Sequence, residues 1–220
     1  DNLLLMTSKF PAINGGNDII TSGGEQVIAI LGGGDDTATL QDGVTDLAEG
    51  RAIVIGGRGD MRFVHQMAEP RPLAPGDTRE MPELFETERL LDIRSSDSAM
   101  TGQSAGGDDT ITLGAGRRVV IGGGGDDTIT GGNGRSIVAG DNADLVLKPS
   151  EDDFILSTFW SEGYESSATP ITGGDDTITL GAGDASVIGG MGGDAITAGL
   201  GTTDPVGWTY TIIGDRGAIT

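Results

Sequence analysis

The chain is 220 residues long and carries 13 basic and 34 acidic side chains, which gives a formal net charge of −21. It has no cysteine and one histidine, which excludes disulfides and thiolate metal sites and makes a histidine-based metal centre or a Ser-His-Asp triad very hard to assemble. The acidic balance and the lack of a long apolar run predict cations as partners, with neither nucleic-acid binding nor membrane insertion.

Nine-residue units recur without a gap in three stretches of the chain, 13–39, 104–148 and 171–197. Each unit is a glycine-rich turn followed by a short β-branched segment, a pattern that predicts short strands between turns. Such strands bury little alone, but successive parallel turns that stack on one another bury a continuous apolar stripe. We therefore expect an all-β fold, namely a parallel β-roll or β-solenoid built from glycine-rich nonapeptide turns.

A longer repeat divides the chain into three super-repeats. The segment from Gly134 to Asn142 recurs, with changes, from Gly50 to Arg58 and from Thr209 to Arg216. Irregular inserts are expected to interrupt the repeats. The expected divisions are super-repeat 1 over 1–56, super-repeat 2 over 57–140 with an insert at about 61–103, and super-repeat 3 over 141–220 with an insert at about 145–170 and the start of a next repeat.

Two further expectations concern the inserts and the ends of the chain. The first insert is rich in proline and charge, and one short helix is expected near Pro82–Leu91. The residues at Asp1, Asp141 and Asp215 share a phase in the repeat. We therefore expect the chain to be one part of a longer array, in which copies or neighbouring repeats dock as further turns.

Aspartate occupies the sixth position of alternate units, and the two members of each pair are 18 residues apart. If one turn of the fold uses two units, these loops stack along one edge, and loops with Val27, Arg118 or Ala185 at this position stack along the opposite edge. A second acid precedes several of the sixth-position aspartates. The sixth-position residues are Asp18, Asp36, Asp109, Asp127, Asp176 and Asp194, and the preceding acids are Asp35, Asp108, Asp126 and Asp175.

Stacked strands lie about 4.8 Å apart, so the carboxylates of successive loops repel one another strongly. A hard divalent cation between turns, held by carboxylate and carbonyl oxygens, relieves this repulsion. Calcium suits such flexible all-oxygen sites better than magnesium, which retains its waters. Glycine also lets the loop carbonyls turn inward onto an ion.

The unit GGGGDDTIT over 122–130 resembles the G-G-x-G-x-D-x-U-x repeat of RTX, or haemolysin-type, calcium-binding proteins at every specified position. The other Asp-bearing units match less fully, and the resemblance covers about half of the chain. It implies a parallel β-roll with calcium between loops of the same edge, bound by the sixth-position aspartates and loop carbonyls. Members of this family carry the motif on both edges, whereas the second edge here lacks the aspartate and is expected to be metal-free.

We expect no catalysis from this chain. Ser104 lies in a G-x-S-x-G string, but a nonapeptide strand follows it and the single histidine, His65, lies upstream, so a nucleophile elbow is disfavoured. The repeats predict a non-catalytic, calcium-binding structural segment of a large extracellular or cell-surface bacterial protein, such as an adhesin, sheath or filament. The alternative is a calcium-dependent secretion and folding module of an RTX enzyme or toxin whose catalytic domain lies outside this chain.

Overall fold

The structure, a computed structural model, describes residues 3–7, 15–23, 26–40, 51–66, 87–95, 106–149, 154–161, 173–200 and 207–219. These residues form eighteen strands in three six-stranded sheets, and none of them is helical. The all-β class is confirmed, and two of the three sheets are parallel. No described segment forms a helix with the length and apolarity needed to cross a bilayer.

The strands are, in chain order, β1 (Leu3–Thr7), β2 (Ile19–Ser22), β3 (Gln26–Ile30), β4 (Thr37–Leu40), β5 (Arg51–Ile55), β6 (Gly59–Gln66), β7 (Thr87–Ser95), β8 (Thr110–Leu113), β9 (Arg117–Gly123), β10 (Thr128–Gly131), β11 (Ser136–Asp141), β12 (Ala143–Pro149), β13 (Phe154–Ser161), β14 (Thr177–Gly181), β15 (Ala185–Gly190), β16 (Ala195–Leu200), β17 (Tyr210–Asp215) and β18 (Ala218–Ile219).

Two parallel sheets are built by strands that alternate along the chain. The front sheet has the order β16-β14-β10-β8-β4-β2, and the middle sheet has the order β17-β15-β11-β9-β5-β3. Each front strand is followed in sequence by a middle strand, and we call this pair a rung. The six rungs therefore stack in chain order, although residues 57–106 separate the second from the third and residues 142–173 separate the fourth from the fifth.

The third sheet, which we call the hairpin sheet, is antiparallel and has the order β1-β6-β7-β12-β13-β18. It contains strands from both of the regions that the sequence predicts to be irregular inserts, so that prediction is wrong for the described residues. The helix expected near 82–91 is also wrong over residues 87–91, which lie in β7, and residues 87–90 pair with β6. Pairing with neighbouring strands overrides the weak local helix signal here. Residues 82–86 lie outside the described part of the chain.

Two apolar cores separate the three sheets. In front strands such as β8, Ile111 and Leu113 are buried, whereas Thr110 is exposed, as expected for a sheet with one solvated face. These side chains meet Val120 and its equivalents from the middle sheet in the first core. The opposite face of the middle sheet packs against the hairpin sheet in the second core, around Phe159. The middle sheet is thus covered on both faces, which places its loops at the two edges of the stack.

The phase that the sequence assigns to the start of the chain is only partly correct. Asp141 and Asp215 do occupy equivalent positions, because Asp141 aligns with Gly123 and Asp215 aligns with Gly190. These two glycines each lie two residues after an isoleucine that aligns with Ala139. The segments that follow them form β12 and β18. β1, the strand after Asp1, pairs with β6 in the way that β13 pairs with β18. β1 therefore corresponds to β13, the second strand of the β12–β13 hairpin, and not to β12 as the shared phase predicted.

Candidate metal centre

The sixth-position aspartates form one continuous row, which we call the acid edge, in the loops that lead from the middle sheet to the front sheet. In each of the first five rungs the backbone N–H of this aspartate donates a hydrogen bond to Oδ1 of the aspartate in the next rung, at 2.7 to 3.1 Å. The bonds run in order through Asp18, Asp36, Asp109, Asp127, Asp176 and Asp194. The predicted stacking along one edge is confirmed.

The preceding acids form a second, exposed row beside the first. Its hydrogen bonds run in the opposite direction, because the N–H of the later rung donates to the carboxylate of the earlier one. Examples are Asp126 N to Asp108 Oδ1 at 2.9 Å and Asp175 N to Asp126 Oδ1 at 2.8 Å. Asp35 belongs to the same row, since it accepts from Asp108 N and donates from its own N–H to Asn17 Oδ1. Both rows therefore tie neighbouring rungs through carboxylate–amide bonds.

Most of the inner row is buried, and four of its carboxylate oxygens lack a hydrogen-bond partner. Four of its members, Asp36, Asp109, Asp127 and Asp176, are each 1% exposed. Their Oδ1 atoms accept the backbone bonds described above, which leaves Oδ2 as the second oxygen. Oδ2 has no hydrogen-bond partner in Asp36, Asp127, Asp176 and Asp194. An unpaired buried carboxylate oxygen is costly, so this row is suited to bind a cation or a proton.

A carbonyl oxygen lies beside each of several Oδ2 atoms, in a cradle that only glycine leaves open. At Gly122 a Cβ would overlap both Asp127 Oδ2 and the carbonyl oxygen of Gly140. An equivalent pair, one Asp Oδ2 and one glycine carbonyl oxygen of the next rung, faces three other glycines. These glycines are Gly56, Gly140 and Gly189. Carboxylate and carbonyl oxygens are the ligands that calcium prefers, so the donor set fits this ion.

Burial raises the pKa of four aspartates of the inner row. The pKa of Asp127 is raised to about 10, mainly by desolvation, although its backbone hydrogen bond with Asp109 opposes the rise. Desolvation likewise raises the pKa of Asp176 to about 8. Desolvation is also the main cause that raises the pKa values of Asp36 and Asp194. In all four of these aspartates, neighbouring carboxylates add to the rise. Without a metal, the row therefore favours protons over negative charge.

Asp141 is a buried acid that the sequence left out of the candidate set. It is 3% exposed and lies where the chain leaves the fourth rung. Its carboxylate accepts hydrogen bonds from Gly174 N, where the chain returns to the stack, and from Met191 N. Desolvation raises its pKa to about 7, and Asp194 and Asp126 add to the rise. The sequence marks this place by the junction segment from Gly140 to Asp144. The role of Asp141 nevertheless depends on where the chain returns to the stack, at Gly174.

The loops that lead from the front sheet to the middle sheet form the opposite edge, which lacks such an acid row in its described part. Here different side chains tie successive rungs. Arg118 donates to the carbonyl oxygens of neighbouring loops. Asn133 Oδ1 accepts from Ala182 N at 2.9 Å, and Asp184 Oδ1 accepts from Thr209 N at 2.7 Å.

Within the described segments, three or more Asp, Glu or His side chains do not converge on one point as they do in a preformed carboxylate centre. Any metal on the acid edge therefore depends on backbone carbonyls as well as on single carboxylates. Comparison with family models, with curated proteins and with solved structures returned no match for this chain.

Proposed function

We propose that this chain is a non-catalytic structural module that binds calcium along the acid edge, and that the ions stiffen its stacked rungs. The observation that carries the proposal is the repeated pair of oxygens in the buried loops, in which an unpartnered Asp Oδ2 lies beside a glycine carbonyl. The ligand positions that we propose are the sixth-position aspartates, with the preceding acids Asp35, Asp108, Asp126 and Asp175 adding negative charge.

We infer a parallel β-roll from the path of the chain. Front and middle strands alternate, and most of the links within and between rungs are short glycine-rich loops. Two units of nine residues account for the 18-residue separation between hydrogen-bonded aspartates such as Asp109 and Asp127. The resemblance to RTX repeats supports the same interpretation, with calcium on one edge only. The hairpin sheet is an addition to that pattern.

Calcium accounts for features that a purely protein-based acid row leaves unexplained. The inner carboxylates are spaced by strand stacking, at about 4.8 Å, and would repel one another if they were ionised without a counter-ion. A calcium ion supplies positive charge and accepts six to eight oxygen ligands without strict geometry. Ion binding therefore contributes to the stability of the folded state, as in other modules whose sites exist only when folded.

We further propose that the parent protein is extracellular and that copies or neighbouring repeats extend the stack. Both terminal rungs expose apolar residues, Ile28 at 45% and Ile212 at 46%, in columns that are buried in the inner rungs. Millimolar calcium outside cells matches the affinity range of extracellular calcium modules, about 10⁻⁴ to 10⁻³ M. An extended fibre in images of the native protein supports this proposal. A compact particle with one roll joined to a catalytic domain supports the alternative, a module for secretion and folding.

The calcium proposal is tested by circular dichroism of the chain near neutral pH, first with a chelator and then with added calcium. We expect a large gain of β signal and of thermal stability as calcium is added. Magnesium at the same concentration serves as the control and is expected to have a much smaller effect, since it retains its waters. A β spectrum and melting temperature that do not change between chelator and calcium would rule the proposal out.

A further inference from the structure

Arg118 lies at the start of β9 on the opposite edge and is only 3% exposed. Its guanidinium contacts five oxygen atoms. Nη1 donates to Gly132 O at 2.6 Å and to Ser136 Oγ at 3.2 Å. Nη2 donates to the carbonyl oxygens of three loop residues at 2.8 to 3.1 Å, namely Gly114, Gly116 and Asn133.

These oxygens come from two successive rungs. Gly114 and Gly116 belong to the loop of the third rung, whereas Gly132, Asn133 and Ser136 belong to the fourth. A guanidinium is planar, remains charged and carries several donors in a fixed arrangement, so it can bridge two loops at once. A ring of carbonyl and hydroxyl oxygens from two loops is also the kind of ligand set that binds a free cation.

The neighbouring positions leave room for this side chain. In the front sheet, Gly131 aligns with Leu113 and with Leu180, which are both buried core residues. The leucine is thus replaced by glycine at the rung that the guanidinium enters, and a Cβ on Gly131 would lie 2.5 Å from Arg118 Nη1. Ser136, which aligns with Arg118 itself, is small and buried. The residues at positions 131 and 136 are therefore both small enough to leave space for the arginine side chain.

We infer that the oxygen cage around Arg118 is a cation-binding site filled by the chain's own guanidinium, which fastens the third rung to the fourth without metal. This inference goes beyond calcium binding, because it assigns the site a resident cation that does not dissociate. It also explains how the loops of the third and fourth rungs stack their carbonyl groups without an acid row. The ligand class of the emptied cage is a guanidinium or alkylguanidinium ion.

The first test is chemical rescue of the full chain, measured in millimolar calcium so that the acid edge is the same in every sample. Arg118→Ala should lower the melting temperature by roughly 10 °C, since the cage loses its charged partner. Guanidinium chloride at low millimolar concentration should restore at least half of the lost melting temperature, and this increase should saturate with concentration. Sodium chloride at equal ionic strength should not raise the melting temperature. Arg117→Ala, which removes the same charge one residue away, is the matched control and should show no saturable rescue.

The second test remains informative if Arg118→Ala does not fold. Gly131→Leu alone should lower the melting temperature, because the leucine overlaps the guanidinium. Combined with Arg118→Ala, the same substitution should restore stability above that of either single variant, since the leucine then fills the vacated space as in the neighbouring rungs.

Three results would overturn the inference. The first is a folded Arg118→Ala variant without saturable guanidinium rescue, and the second is rescue of the Arg117→Ala control to the same extent. The third is additive effects of Arg118→Ala and Gly131→Leu. None of these outcomes depends on calcium binding, whose failure would instead appear as an unchanged response of the wild-type chain to chelation.

Discussion

The two edges of the stacked rungs are built on the same backbone but obtain their positive charge differently. On the acid edge, Oδ2 of buried aspartates such as Asp127 has no partner within the protein. On the opposite edge, the loop oxygens of the third and fourth rungs are bonded by the buried guanidinium of Arg118. In the loops of the third and fourth rungs, the opposite edge thus obtains its cation from the sequence itself, whereas the oxygens of the acid edge are left for a cation from solution.

This difference predicts that the acid edge responds to solution conditions and the opposite edge does not. Protons or calcium can neutralise the inner aspartates, so pH and metal should control the stability of that edge. An arginine remains charged throughout the accessible pH range and cannot be removed by a chelator.

The stability of the chelated protein should fall as pH rises from about 5 to about 9. The pKa values of Asp141 and Asp176 are raised to about 7 and about 8, far above the value of 3.8 expected in the unfolded chain. Between these limits the folded state binds more protons than the unfolded state, so stability is present at low pH and is lost as pH passes the folded pKa values. Thermal melts in chelator across this pH range measure the effect.

Saturating calcium should remove most of this pH dependence, because the ion replaces the protons on the same carboxylates. Calcium affinity should correspondingly increase with pH. Chelated protein that becomes more stable as pH rises from about 5 to about 9 would contradict the assigned burial of the inner aspartates.

Gly122→Ala should destabilise the calcium-bound protein by about 1–3 kcal/mol. The added Cβ overlaps Asp127 Oδ2 and the carbonyl oxygen of Gly140, so the cradle must distort. Gly214→Ala is the matched control, because Gly214 occupies the equivalent position in the last rung and a Cβ there meets nothing within 4 Å. Denaturant unfolding of both variants measures the difference, and equal losses would show that contact with the next rung is not the cause.

Asp127→Asn should weaken calcium binding roughly tenfold, because one ligand loses its charge. The same substitution should make the chelated protein more stable, since a neutral amide keeps the Oδ1 acceptor for Asp109 N and removes a buried carboxyl. Calorimetric calcium titration and melts in chelator give the two values. A variant that loses stability equally with and without calcium would indicate a structural role alone.

Asp184→Ala, on the opposite edge, should have the smallest effect. Its carboxylate is exposed and accepts one bond from Thr209 N, so the loss should be at most about 1 kcal/mol. Calcium affinity should not change. A loss of calcium affinity as large as that of Asp127→Asn would mean that the two edges are not distinct.

Repeat spacing predicted the part of the fold that depends on it. The 18-residue separation of Asp109 and Asp127 placed them on neighbouring turns, and the structure joins them by a hydrogen bond. The continuous apolar stripe expected of stacked turns is present as the buried column of Ile111, Ile129 and Ile178. These features could be predicted because neighbouring rungs repeat the same local contacts.

The hairpin sheet could not be predicted in the same way. β7 pairs with β12, and Asp144 pairs with Arg94 across 50 residues, so the partners are distant in sequence and are not spaced by the nine-residue repeat. The role of Asp141 was missed for a similar reason, because its partners Gly174 and Met191 lie beyond an insert. The cage around Arg118 depends on the absence of a side chain at Gly131, which is visible only once the strands are in register.

The most direct test of calcium binding at one edge is anomalous diffraction from crystals of the full chain grown in calcium. We expect anomalous peaks between successive loops of the acid edge, beside Oδ2 of Asp127 and Asp176, and no peak among the carbonyls around Arg118. Absence of metal from the acid edge at millimolar calcium, or metal bound equally at both edges, would contradict calcium binding at one edge.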